Sequence, residues 1–291
     1  MRDVHLPVMT REVIELLGPH DGGIYVDATV GLGGHAEEIL KMLDESGMLI
    51  GIDRDEEALG AAARRLGDGR CVLKKARFSE MREVLEGLQV EAADGVLFDF
   101  GASMMQMKEP ARGFGFGSEE PLDMRMDRSE ALTAGEIVNS YRQAEIERII
   151  RDYGEERNAR KIARAIVSRR RKAPIATCRQ LAETVAAASG RRGRLHPATR
   201  TFQALRIAVN DELGEIGKGL EAALSVLRAG GRLVAISYHS LEDRTVKVFM
   251  KEAGGRGRIR VLTRKPLVPG RDETARNPSA RSAKLRAAEV V

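Results

Sequence analysis

Over the first hundred residues, short apolar runs alternate with helical patterns. The runs Ile24–Val30, Met48–Ile52, Cys71–Lys75 and Gly95–Phe100 are short and bounded by turn residues, which predicts strands of a parallel sheet. Between them, His35–Leu43, Glu56–Leu66 and Ser79–Leu88 repeat apolar residues at helical spacing and predict the crossover helices. From about Gly101 to Arg200 the pattern contains no strand. It gives a polar loop around Gly113-Phe-Gly-Phe-Gly, then helices near Thr133–Asn139, Gln143–Tyr153, Glu155–Arg171 and Cys178–Ser189. The alternation then resumes with a long helix from Arg200 to Leu227, a strand Gly231–Tyr238 and a helix Ser240–Glu252. A strand Ile259–Thr263, a loop Pro266–Pro278 and a last strand Ala283–Val290 complete the chain. An α/β pattern on both sides of an all-helical block predicts an insertion. Residues 1–103 and 201–291 would form the sheet domain and 104–200 an inserted helical domain.

The most informative stretch is Tyr25-Val-Asp-Ala-Thr-Val-Gly31-Leu-Gly33-Gly34-His35, a strand that enters a glycine turn and opens a helix. Residues without Cβ let the backbone bend tightly and let a ligand approach it, and the helix start presents unpaired N–H groups to an anion. The second strand ends on Asp53, 22 residues after Gly31. A nucleotide-binding sheet places the carboxylate that accepts two ribose hydroxyls at that distance. The turn alone leaves the nucleoside open, because Gly31-x-Gly33-x-x-Ala36 also satisfies the dinucleotide fingerprint. The C-terminal order of helix, strand, loop and strand bears on that choice. It predicts a reversed hairpin at the sheet edge, where a nicotinamide-binding sheet needs a second βαβ half. This ending is typical of S-adenosylmethionine-dependent methyltransferases.

Composition narrows the class further. The chain's 291 residues suffice for one large or two modest domains, and no apolar run is long enough to span a bilayer. With neither such a run nor a charged-then-apolar leader, a cytoplasmic protein without membrane association is expected. Two cysteines, Cys71 and Cys178, indicate neither a disulfide framework nor a zinc site, and no metal is expected. The formal charge of +5 points mildly to an anionic partner. Its distribution says more, since Arg169-Arg170-Arg171-Lys172 and Arg191-Arg192-x-Arg194 both fall in the helical block. Such runs are either solvated helix ends or phosphate contacts, and their clustering favours an RNA clamp.

Several segments are more particular than a generic sheet requires: His5-x-Pro7-Val8, "GFGFGSEEPLDMRMD" (113–127), "YGEERNARKIARAIVSRRR" (153–171), "HPATRTFQALRIAVNDEL" (196–213), "GGRLVAISYHSLEDR" (230–244) and "RNPSARSAKLRAAE" (276–289). With "VDATVGLGGH" they closely resemble the ribosomal RNA small subunit methyltransferase H, or MraW, family over nearly the whole chain. The resemblance implies a bacterial, cytoplasmic enzyme with a class I S-adenosylmethionine-dependent methyltransferase fold. That fold is a Rossmann-like α/β, mostly parallel sheet with a C-terminal antiparallel hairpin and an inserted helical domain. The implied reaction moves a methyl group from S-adenosylmethionine to the exocyclic N4 of a cytidine in the decoding region of 16S rRNA, free or within the assembled small subunit. Carried over by position, the implied cofactor contacts are Gly33, Gly34, His35, Asp53, Phe78, Asp99 and Gln106. The chain departs from the family's "GVSS-x-Q-x-D" pattern, with Met104, Met105 and Lys108 around Gln106.

Each implied contact has a chemical sense and an alternative. Asp53 would hold the ribose and Phe78 would offer a flat apolar face to adenine, unless it is simply core. Asp99, at the carboxyl edge of the sheet, would meet the cofactor's ammonium or face the incoming amine, and is the candidate catalytic group. Cytosine N4 is a poor nucleophile, so in-line positioning, water exclusion and an acceptor for the amine N–H are required. Asp99 or the carbonyl of Phe100 or Gly101 could be that acceptor. No covalent step is needed, so Thr177-Cys178, which resembles the nucleophile pair of C5 methylation, reads as a helix start with a half-buried thiol. His239 either approaches the target base or caps the helix that follows it. An NAD(P)-dependent oxidoreductase and a non-catalytic RNA-binding assembly factor are the competing functions.

Overall fold

The computed structural model describes residues 7–67, 69–190 and 196–291. The chain divides into two compact units, Met1–Gly101 with Leu213–Val291, and Ala102–Glu212. The first unit opens with α1 (Thr10–Leu17), β1 (Ile24–Asp27), α2 (Gly34–Leu40), β2 (Met48–Asp53), α3 (Glu56–Leu66), β3 (Cys71–Lys75), α4 (Met81–Gly87) and β4 (Ala93–Asp99). The second unit holds α5 (Met104–Lys108), α6 (Ala134–Ser140), α7 (Gln143–Gly154), α8 (Ala159–Arg170), α9 (Cys178–Ser189) and α10 (Thr199–Asn210). Then follow α11 (Glu212–Val226), β5 (Leu227–Ser237), α12 (Ser240–Gly255), β6 (Ile259–Val261), α13 (Arg271–Arg276) and β7 (Lys284–Val290).

The strands form one seven-stranded sheet in the order β3-β2-β1-β4-β5-β7-β6. β1 to β5 run parallel, and β7 runs antiparallel to both β5 and β6. Successive residues face opposite sides of a strand, so each strand feeds two cores. Val26, Ile50, Val96 and Phe98 pack on one face with Met81, Leu85, Ile216, Leu220, Val246 and Met250. Tyr25, Leu49, Leu97, Val234 and Ile236 pack on the other with Val13, Leu17, Ile39 and Ala62. Burial on both faces explains why these strands read as continuous apolar runs.

The second unit has its own core, in which Ile146, Ile150, Ile162, Ile166, Leu181, Val185, Phe202 and Leu205 are buried together. Its long loop is held by buried polar groups. Arg112 donates to the carbonyls of Arg125 (3.1 Å) and Met126 (2.8 Å). Asn210 accepts from Met126 N–H (2.8 Å) and donates to the Met124 carbonyl (2.8 Å). These bonds satisfy backbone groups that would otherwise be stranded away from water.

Three details differ from the sequence reading. The helix expected from Arg200 to Leu227 is two helices, separated at Asp211, whose φ is +47°. The first of them, α10, belongs to the helical unit, where Gly154 of α7 lets the backbones meet: a Cβ there would lie 2.7 Å from the Arg200 carbonyl oxygen. The segment read as loop, Pro266–Pro278, contains α13. The reversed hairpin expected at the sheet edge is β6 with β7, in which β7 takes the inner place against β5. The short helices α1 and α5 had no sequence counterpart, because eight and five residues give too few turns for a periodic signal.

Two glycines test this packing in opposite directions. A Cβ on Gly95 in β4 would lie 2.7 Å from Leu17 and 2.8 Å from Tyr25, so Gly95→Ala is expected to destabilise by about 1–3 kcal/mol in urea titrations. Gly60 lies within α3 with only Arg64 nearby, at 3.6 Å, and Gly60→Ala should stabilise by about 0.5–1 kcal/mol.

Candidate active site

The turn after β1 is fixed by two left-handed glycines, Gly31 (φ +49°) and Gly33 (φ +77°). A side chain on Gly33 would also press on Leu66 at 3.2 Å, and one on Gly34 on Pro7 at 3.2 Å. The turn is tied down on each side. Val30 N–H donates to the Ile52 carbonyl (3.0 Å) and Gly33 N–H to the Val30 carbonyl (2.7 Å). Asp53, closing β2, accepts Gly31 N–H on one oxygen (2.9 Å) and Asp55 N–H on the other (2.9 Å). Each oxygen keeps a lone pair for a further donor, which suits a vicinal diol. Burial pushes the Asp53 carboxyl up to about 6, against those two hydrogen bonds.

Asp99 closes β4. Its backbone N–H donates to Thr29 Oγ1 (2.6 Å), its Oδ1 accepts the Tyr238 hydroxyl (2.7 Å), and its Oδ2 lies 3.6 Å from His35 Nε2. His35 is 6% exposed, and neither ring nitrogen makes a hydrogen bond among the described residues. Asp27, closing β1, is buried and accepts Thr29 N–H at 3.2 Å. Burial lifts its carboxyl to about 7, and the charges of Asp99 and Asp53 add to the lift while His35 opposes it. Burial also raises the Tyr238 hydroxyl well above its usual value, with Asp99 adding to the shift. The ends of β1, β2 and β4 thus gather three carboxylates, with the imidazole of His35 beside Asp99 and acting on Asp27.

The structure brings Gly33, Gly34, His35, Asp53 and Asp99 to this strand edge. Sequence reasoning missed Asp27 and Tyr238. Asp27 was legible as the acid ending the strand before the glycines. Tyr238 was not, because only the pairing of Asp99 with Ile236 across β4 and β5 brings it near. Phe78 packs edge-on against Phe98 (5.5 Å, 84°) and Phe100 (5.9 Å, 60°) and covers Gly219 of α11, so it is partly core, yet it stays half-buried. Gln106 lies in the helical unit, where its Oε1 accepts Ser103 N–H (2.9 Å) and its N–H donates to Ser103 Oγ (3.2 Å), capping α5. His239 takes its capping option: it starts α12, with Nδ1 accepting Glu242 N–H (3.4 Å) and Nε2 3.1 Å from Glu242 Oε1.

Among the basic candidates, Arg191, Arg192 and Arg194 lie outside the described residues. Arg170 is committed to the fold. Its guanidinium donates to the Val138 (2.8 Å) and Tyr141 (2.6 Å) carbonyls at the end of α6. Arg169 donates to the Ala173 carbonyl (2.9 Å), while Arg171 and Lys172 are exposed. The sequence reading overlooked the basic side chains just before them. Arg157, Arg160, Lys161 and Arg164 are exposed and make no ion pair among the described residues. Their spacing, continued by Arg171, follows one side of α8 and leaves a stripe of uncompensated charge. Cys178 is buried, its thiol donates to the Gly113 carbonyl (3.2 Å), and burial pushes it up to about 11.

A sheet of this strand order, with a glycine turn after β1 and acids at the ends of β1, β2 and β4, defines a class I S-adenosylmethionine-dependent methyltransferase. Among the described residues it has no second parallel βαβ half, so the dinucleotide alternative falls. The chain belongs to the MraW methylase family, whose model matches residues 2–291. It is 47% identical over 305 residues to the ribosomal RNA small subunit methyltransferase H of Carboxydothermus hydrogenoformans, covering 98% of this chain and 97% of that one. It is 48% identical over 299 residues to the enzyme of that name from Acidobacterium capsulatum, covering 99% of each. For the one from Geobacter sulfurreducens the identity is 49% over 305 residues, with 98% of each covered.

The raised carboxyl of Asp27 makes a testable contribution to stability. Folded, it holds its proton to about pH 7, whereas an unfolded aspartate releases it near 4, so the folded state binds the extra proton in between. This contribution is complete below about pH 4 and is lost as pH rises to 7. Asp27→Asn keeps the acceptor for Thr29 N–H and removes the charge. Without ligand, the variant should exceed the parent by on the order of 2 kcal/mol at pH 8, with the gap closing towards pH 4. Thermal melts across that range check it.

Proposed function

We propose that this protein transfers a methyl group from S-adenosylmethionine to the exocyclic N4 of a cytidine in the decoding region of 16S ribosomal RNA. The observation that carries the reading is the gathering of Asp27, Asp53 and Asp99 at a glycine turn. Burial first, and the neighbouring Asp99 and Asp53 charges after it, make a charged Asp27 unfavourable, which calls for a cationic nucleoside ligand and disfavours the pyrophosphate of a dinucleotide. The donor set fits the cofactor: Asp53 has lone pairs free for the ribose hydroxyls, and buried Asp27 suits an ammonium. When bound, S-adenosylmethionine supplies an electrophilic methyl on a sulfonium.

The chain's own residues would do the rest. Asp99 is held by Tyr238 on Oδ1 and turns Oδ2 towards His35, so it is an oriented acceptor for an N–H of the incoming amine. Drawing on that hydrogen helps the nitrogen lone pair leave conjugation with the ring as the new C–N bond forms. The amine then sheds one proton, to Asp99 and on to solvent. No covalent adduct is required, and Cys178, protonated and bonded to a carbonyl, is unsuited to forming one. The basic stripe on α8, with Arg169, Arg171 and Lys172, would grip RNA phosphates. Among the described residues no helix is long and apolar enough to cross a membrane. An enzyme acting on 16S rRNA would work in the cytoplasm.

Nucleosides from small subunits and from naked 16S transcript, treated with enzyme and cofactor, should contain N4-methylated cytidine by mass spectrometry. A product methylated at C5 instead would overturn the reading, and Cys178→Ser should retain activity. Asp53→Ala removes charge-assisted bonds worth about 1.5–3 kcal/mol each and should weaken S-adenosylmethionine binding at least about tenfold by calorimetry. Since Asp53 ionises near pH 6, wild-type affinity should fall as pH drops below that value, and the Ala variant should lose this dependence.

A further inference from the structure

The segment Arg276–Glu289, "RNPSARSAKLRAAE", has so far only a structural part, as the approach to β7 and β7 itself. It also builds one wall of a pocket of about 330 Å³ in the sheet unit. Arg281, Ser282 and Lys284 supply that lining, together with Tyr238, His239 and Ser240 from the end of β5 and the start of α12. The size is at the lower end of small-ligand sites, about 300–1,000 Å³, and admits a single nucleotide rather than a duplex. Among the described residues no carboxylate lines it, and its polar groups are the hydroxyls of Tyr238, Ser240 and Ser282, the imidazole of His239 and the basic heads of Arg281 and Lys284. Val268, 64% exposed, adds an apolar rim.

Arg281 is the distinctive group. Its side chain is exposed and forms neither an ion pair nor a hydrogen bond among the described residues. Its backbone is nonetheless fixed, in a short turn of helix (Pro278–Ser282) whose Ala280 is fully buried beside buried Ala283. Ala280 N–H donates to the Asn277 carbonyl (3.0 Å) and Ala283 N–H to the Ala280 carbonyl (2.8 Å). Lys284, by contrast, is already engaged with Asp243 at 3.2 Å. An unneutralised guanidinium carried on a fixed stretch of backbone, lining a pocket with hydroxyls and a lysine, suits a phosphate. The pocket also adjoins the chemistry. Tyr238, which lines it, donates to Asp99 at 2.7 Å, so one side chain separates the two.

We propose that this pocket receives the ribose-phosphate of the RNA nucleotide presented to Asp99, with its phosphate on Arg281. This rests on the function proposed above, and places one substrate contact in the sheet unit itself. A base withdrawn from its stack must be held by its backbone, and a single anchored phosphate beside the acceptor does that.

Arg281→Ala is the test, assayed on small ribosomal subunits with labelled S-adenosylmethionine, with thermal melting as the check on folding. The expected result is a KM for subunits raised at least tenfold, with the KM for S-adenosylmethionine unchanged. The log–log salt dependence of RNA binding should fall by about 0.7–0.9, the signature of one lost phosphate contact. A folded variant with unchanged subunit KM and salt slope would overturn this inference while leaving the proposed function intact. A KM for S-adenosylmethionine that rises as much would assign the pocket to the cofactor and overturn it too. Wild-type enzyme that leaves subunits and naked transcript alike unmethylated would overturn both.

Discussion

The candidate site depends on carboxylates that the fold holds partly out of water. Asp27, Asp53 and Asp99 each end a parallel strand, and the packing of β1 between β2 and β4 brings those ends together. Left alone, a buried acid beside others is unfavourable, and the Asp27 carboxyl, raised first by burial and then by Asp99 and Asp53, records that cost. The cost is offset locally by backbone N–H groups from Gly31, Asp55 and Thr29, by the Tyr238 hydroxyl and by the imidazole of His35. A cationic ligand completes the balance. On this view the glycine turn serves two ends: it lets a ligand approach the backbone, and it aims one N–H at Asp53.

The helical unit follows a separate physical logic. It buries its own apolar residues and fixes its long loop through Arg112 and Asn210. This frees its outer surfaces to carry charge. Along α8 the buried residues Ile162 and Ile166 face inward while Arg160, Lys161 and Arg164 remain exposed, the ordinary amphipathic division with only basic charges on the outer side. Arg170 shows why a run of arginines is a poor guide to individual roles. It closes the exposed carbonyls at the end of α6, while its neighbour Arg171 stays on the surface.

What the sequence determined by itself was the class of fold and the position of the ligand turn. Both follow from short-range rules: strands buried on both faces must be apolar, and a left-handed turn needs glycine at positions such as 31 and 33. The motifs carried the family for the same reason, since they are contiguous. Tertiary structure decided what contiguity does not encode. Tyr238 meets Asp99 only because β5 pairs with β4, and β7 enters between β5 and β6 rather than at the edge. The break at Asp211 sends α10 to the helical unit, although its apolar spacing runs on into α11. In each case the deciding energy is a contact between residues far apart in the chain, set by which buried surfaces fit together.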